Sequence, residues 1–96
     1  MKLINPENIA RPASRYSQGV IVPVNARRVV ISGQIGVDPG GSIVKGLEAQ
    51  MRQCWSNLFA VLDEAGMTKH DLVKIVVYAT RSGIAWEYRR IRDEML

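Results

Sequence analysis

The stretch Val29-Val30-Ile31-Ser32-Gly33-Gln34-Ile35-Gly36-Val37-Asp38-Pro39 constrains the chain more than any other. Its β-branched apolar start predicts a buried strand, because such side chains fill a pleated surface well. Strict alternation is absent from Val29-Val30-Ile31, so both faces of that strand are expected to be covered. The run then reaches Ser32-Gly33-Gln34, where a glycine exposes backbone, and closes on the turn Asp38-Pro39-Gly40-Gly41. A buried strand that ends in an uncovered corner is a place where main-chain groups can meet a ligand.

The flanking segments predict what covers this strand. Residues 1–15 carry Pro6 and Pro12 among small polar residues and read as an extended arm. Tyr16 to Val24 reads as a strand, and Pro23 near its end makes it an edge strand or marks the strand's end. Asn25-Ala26-Arg27 then makes a short connection into a second strand from Arg28 to Ile35, which suggests a hairpin. From Gly46 to Ala65 the apolar residues Leu47, Met51, Cys54, Leu58, Val61, Leu62 and Ala65 recur at helical steps, and Gly66 follows as a natural C′ residue. A third strand is expected over Leu72 to Thr80. A second helix is expected over Ile84 to Leu96, with Ile84, Tyr88, Ile91 and Met95 on one face. Strand, strand, helix, strand, helix is an α+β order with the helices on one face of a sheet. All 96 residues are expected to form a single domain.

Composition narrows the function. One cysteine, Cys54, excludes an internal disulfide and a cysteine-based zinc site. No apolar run approaches the ~20 residues of a membrane span, and Met1 to Pro6 lacks the apolar core of a signal peptide; a cytoplasmic protein is the default expectation. Thirteen basic against nine acidic residues give +4, which attracts anions. The aromatic residues do not interleave with the basic ones as a nucleic-acid stacking platform requires, so nucleic acid is not the expected partner.

The order of short segments resembles the Rid family, also called YjgF/YER057c/UK114. Ile4-Asn5-Pro6 with Ala10-Arg11-Pro12 is similar to its N-terminal arm. Tyr16-Ser17-Gln18-Gly19-Val20 and Ile31 to Pro39 are similar to its two signature strands. Glu48-Ala49-Gln50 through Asn57-Leu58, and Asp71-Leu72-Val73-Lys74 with Val77-Tyr78, follow in the family's order. The resemblance spans residues 4 to about 80. It implies a chorismate-mutase-like (YjgF-like) mixed sheet and a homotrimer with clefts between subunits. It also implies hydrolysis of enamine or imine intermediates to 2-keto acids and ammonia, with no cofactor and no metal. The family continues into further strands that carry an arginine for the substrate carboxylate and a glutamate near the attacking water. Those positions fall beyond Leu96, so Arg81, Arg89 and Arg92 are the candidate replacement cations and no catalytic residue is assigned.

Four residues form the expected substrate-binding set. Tyr16 stacks over a small ligand and offers its hydroxyl, or packs at a subunit boundary. Ser17 contributes a hydroxyl hydrogen bond; no base partner supports it as a nucleophile. Gly33 offers a backbone N–H at close approach, or marks a bend. Gln34 bonds backbone at the cleft, or packs at the strand end. His70, beside Asp71, reads as surface and Cys54 as core. Three functions follow: imine deaminase, non-catalytic metabolite-binding or chaperone-like module, and, more weakly, RNA binding or cleavage.

Overall fold

In the computed structural model, which describes residues 1–96, regular structure is concentrated in two helices and a short ribbon. Strand β1 (Lys2–Ile4) pairs antiparallel with β2 (Gly19–Ile21), with Leu3 opposite Val20. Helix α1 runs Leu47–Glu64 and helix α2 runs Ala85–Met95. A single 3-10 turn, Lys69–Asp71, lies between them.

Helix α1 starts and stops where its glycines require. Gly46, at φ 95°, breaks the chain into the helix. Gly66, at φ 71°, takes the left-handed conformation that lets the chain fold back on the last turn. Its N–H donates to Asp63 O at 2.9 Å and the Met67 N–H to Leu62 O at 2.8 Å, which satisfies two carbonyls the helix leaves open. The core sits where α1 and α2 meet. Trp55 and Leu62, two turns apart on α1, are buried, as is Ile91 on α2. Trp55 lies against Phe59 with ring centroids 5.8 Å apart. Trp86, by contrast, is 82% exposed on α2.

The α+β class holds, but the strands fall elsewhere than their propensity predicts. The arm is not wholly irregular, because Lys2–Ile4 forms β1. The strand expected over Tyr16 to Val24 shortens to Gly19–Ile21 and pairs with β1, not with Arg28–Ile35. Side chains explain that choice. Asn5 Oδ1 accepts from the Gln18 N–H at 3.0 Å, Asn5 Nδ2 donates to Ser17 Oγ at 3.3 Å, and Gln18 Nε2 donates to Ala10 O at 3.1 Å. These bonds fasten the arm along residues 17–18. Arg28–Gln34 and Val73–Thr80 join no ladder. β-Branched residues suit a pleated surface, but a strand exists only through the backbone of a neighbour.

The molecule is consequently open. Its radius of gyration is 15.1 Å, against about 12.5 Å for a compact chain of this length. It makes 39 backbone–backbone hydrogen bonds, where a packed domain of this size makes roughly 65. No helix is long and apolar enough to cross a membrane.

Candidate functional site

The backbone corner at residues 33–37 is the best-defined feature outside the helices, and α1 holds it. Asn57 Nδ2 donates to both Ile35 O at 3.2 Å and Val37 O at 3.0 Å. Gln53 Nε2, one turn earlier, donates to Asn57 Oδ1 at 2.9 Å and orients that amide. The Cys54 thiol faces Gln34 O at 3.6 Å. Gln50 Nε2 donates to Val44 O at 3.0 Å, on the return limb of the same loop. Gln50, Cys54 and Asn57 are spaced at helical steps, so one face of α1 presents polar groups to the corner's carbonyls.

The loop beyond the corner is tied into itself. The Gly41 N–H donates to Asp38 O at 2.9 Å, the Asp38 N–H to Ser42 O at 2.9 Å, and the Ser42 N–H to Asp38 Oδ1 at 3.0 Å. Val37 and Ile43 form an antiparallel bridge, and the Val44 N–H donates to Gly36 O. Gly36 passes so close to α1 that a Cβ there would stand 2.8 Å from Gln50 Cα. Gly33 is different: a Cβ there would meet nothing within 4 Å. Its N–H has no backbone or side-chain partner, so the corner presents a free donor in open space.

The four expected site residues divide into two pairs. Tyr16 is exposed, and its N–H donates to Ser14 O at 2.9 Å. Ser17 is bound to Asn5 in the arm. Gln34 Nε2 donates to Ser32 O at 3.1 Å, within its own turn. No hydrogen bond joins Tyr16 or Ser17 to Gly33 or Gln34 in the single chain.

The three candidate cations also separate. Arg92 is committed: its guanidinium donates to Ser14 Oγ at 2.6 Å, pairs with Asp93 at 3.0 Å and lies 5.9 Å from the Tyr88 ring centroid. Arg81 and Arg89 make no ion pair or hydrogen bond. Arg90 and Arg52 are engaged with Glu48 and Glu94 across the two helices.

Burial pushes the Cys54 thiol up from its ordinary value, which leaves it protonated at neutral pH. His70 is exposed in the 3-10 turn, where its N–H donates to Thr68 Oγ1. No group of three or more His, Cys, Asp or Glu side chains converges as metal ligands would. Asn57 and Gln53 were the residues sequence reasoning passed over as site groups. Their signal was a polar stripe, Gln50, Gln53 and Asn57, beside the apolar face of a helix.

Residues 7–96 match the family model described as Endoribonuclease L-PSP. A RutC family protein of Aquifex aeolicus is 38% identical over 81 residues, covering 83% of this chain and 62% of the relative. One from Pyrococcus horikoshii is 38% identical over 79 residues, covering 80% and 60%. A Salmonella typhimurium protein named 2-iminobutanoate/2-iminopropanoate deaminase is 37% identical over 78 residues, covering 80% and 59%. The chain thus spans about three fifths of the length of the curated relatives it matches. No solved structure matches it.

Proposed function

The chain belongs to the Rid (YjgF/RutC) family, of chorismate-mutase-like fold, and we propose on that footing that it acts on imines of 2-keto acids. The reaction is hydrolytic. A water oxygen adds to the imine carbon while one of its protons passes to the nitrogen; the hydroxyl proton of the resulting carbinolamine then passes to the same nitrogen as the C–N bond breaks, the C=O bond forms, and ammonia and the 2-keto acid are released. Such chemistry asks a protein for position and polarity more than for a strong base.

The observation that carries the reading is the free Gly33 N–H on a corner fixed by Asn57, in a chain 37% identical to a protein named for that reaction. In this reading the Gly33 N–H and the Gln34 side chain hold the substrate's polar atoms. Tyr16 and Ser17 approach from an adjoining copy in a homotrimer, since within one chain the two pairs are not joined. Arg81 and Arg89 are the cations free to take the carboxylate in bidentate fashion.

The test is direct. The purified chain is added to 2-iminopropanoate generated by an amino-acid oxidase, and formation of the 2-keto acid is followed against semicarbazide trapping of the imine. Acceleration over buffer, reduced at least tenfold by Tyr16→Ala, supports the proposal. A rate equal to buffer rejects it. Binding of 2-keto acids by calorimetry with no turnover would assign the cleft to a metabolite-binding module instead.

A further inference from the structure

Gln53 makes no hydrogen bond to the corner, yet it decides how the corner is held. Its side chain makes one hydrogen bond, in which Nε2 donates to Asn57 Oδ1 at 2.9 Å from one turn earlier on α1. Both residues are half-buried, so water does not readily replace either partner.

A primary amide carries two hydrogens on its nitrogen and none on its oxygen. Asn57 gives both hydrogens to the corner, one to Ile35 O at 3.2 Å and one to Val37 O at 3.0 Å. Val37 O has no other partner, whereas Ile35 O also accepts the Val37 N–H at 2.8 Å. Turned end for end, the same amide would set its oxygen against two carbonyl oxygens and leave Val37 O bare. The two orientations have nearly the same shape, so packing does not choose between them. Hydrogen bonding does, and the Gln53 donor joins the two carbonyls in selecting the one observed. The held carbonyls begin two residues after Gly33, and Gln34 O, just before them, meets only the weak Cys54 thiol donor at 3.6 Å. The Gly33 N–H and the Gln34 side chain therefore take their positions from a segment that Asn57 ties to α1.

We infer that Gln53 is a positioning residue for imine hydrolysis, acting through the orientation of the Asn57 amide. The inference rests on the reading of this corner as the substrate site. A reacting atom misplaced by about 1 Å can lose roughly a hundredfold in rate, so loss of the Gln53 donor acts on the chemical step. Arg81 and Arg89, assigned to the substrate carboxylate, make no hydrogen bond to Gln53 or Asn57, so binding through them is untouched. The expected mark is a lower kcat with KM little changed.

Gln53→Glu keeps the shape and reverses the chemistry. An ionised carboxylate only accepts, so it draws the Asn57 N–H toward itself and turns Oδ1 onto the carbonyls. A protonated one donates again, with an ordinary pKa of about 4.3. In the 2-iminopropanoate assay at pH 8, kcat of Gln53→Glu is expected to fall at least tenfold below wild type, with KM within twofold. Its ratio to wild type should at least double by pH 5, as the protonated fraction grows. Gln53→Met cannot donate at any pH and should lose kcat with a ratio that stays flat. Helix content by circular dichroism verifies that each variant is folded. Wild-type kcat in both variants, or a ratio for Gln53→Glu as flat as for Gln53→Met, overturns the inference and leaves the imine reading standing. A wild-type chain no faster than buffer rejects that reading, and the inference with it.

Discussion

Two glycines three residues apart carry opposite constraints. Gly36 sits against the backbone of Gln50, so Gly36→Ala must move the corner or the helix. A loss of about 1–3 kcal/mol is expected, as for other overpacked sites, read as a lower urea midpoint. Gly33 has open space and an ordinary φ, so Gly33→Ala is expected to leave stability unchanged or raise it by about 0.4–1 kcal/mol. Its effect falls on the proposed reaction: the methyl obstructs approach to the free N–H, and kcat/KM for imine hydrolysis is expected to drop at least tenfold. Activity retained in Gly33→Ala would remove Gly33 from the site. Cys54 supplies a third outcome at this scale. Its burial-raised thiol leaves less thiolate at pH 8, so iodoacetamide should modify it more slowly than a free cysteine model compound, and at the free rate once urea unfolds the chain. Gly33 and Cys54 could be picked out from the sequence by residue type. Asn57 could not, since nothing local says that a helical amide will span two carbonyls twenty residues earlier.

Among the elements, the helices were legible and the sheet was not. Both helices declare themselves by period, and Gly66 marks the end of α1 because only its backbone turns left cheaply. β2 was misread because its partner was decided by Asn5 and Gln18, polar side chains of an arm that reads as irregular. Arg28–Ile35 and Leu72–Thr80 have strand composition without a partner's hydrogen bonds. The joint between α1 and α2 rests partly on Arg52 and Arg90 with Glu48 and Glu94. Hydrogen bonding from Arg52, chiefly, holds both carboxyls below the usual range. A carboxyl lowered in the folded state contributes stability above its unfolded pKa and loses it as pH falls. The α1–α2 joint should therefore weaken as pH drops below the ordinary glutamate value of about 4.3, and 1 M salt at pH 7 should reproduce part of that loss. These groups are solvent-facing, so the effect is small. Thermal midpoints of the chain and of Glu48→Gln compared at pH 7 and pH 4 measure it: the difference between them should shrink at the lower pH.

At the scale of the whole molecule, the open surface has a thermodynamic signature. Unfolding exposes less new area here than in a compact chain of equal length, by roughly a fifth. The urea m-value of the dilute, unoccupied chain should be lower in the same proportion, because m follows exposed area. It should return toward the compact value when further copies cover that surface. Sedimentation equilibrium detects this, since the proposed homotrimer has three times the mass of one 10.7 kDa chain. The placement of the two tryptophans gives the molecule its own optical record of such events. Trp55 is 5% exposed in the core while Trp86 stands in water on α2. The first should emit to the blue and resist iodide; the second should emit to the red and be quenched freely. Shielding of the red component alone would signal a neighbour arriving at α2, and loss of the blue component would signal the core itself coming apart.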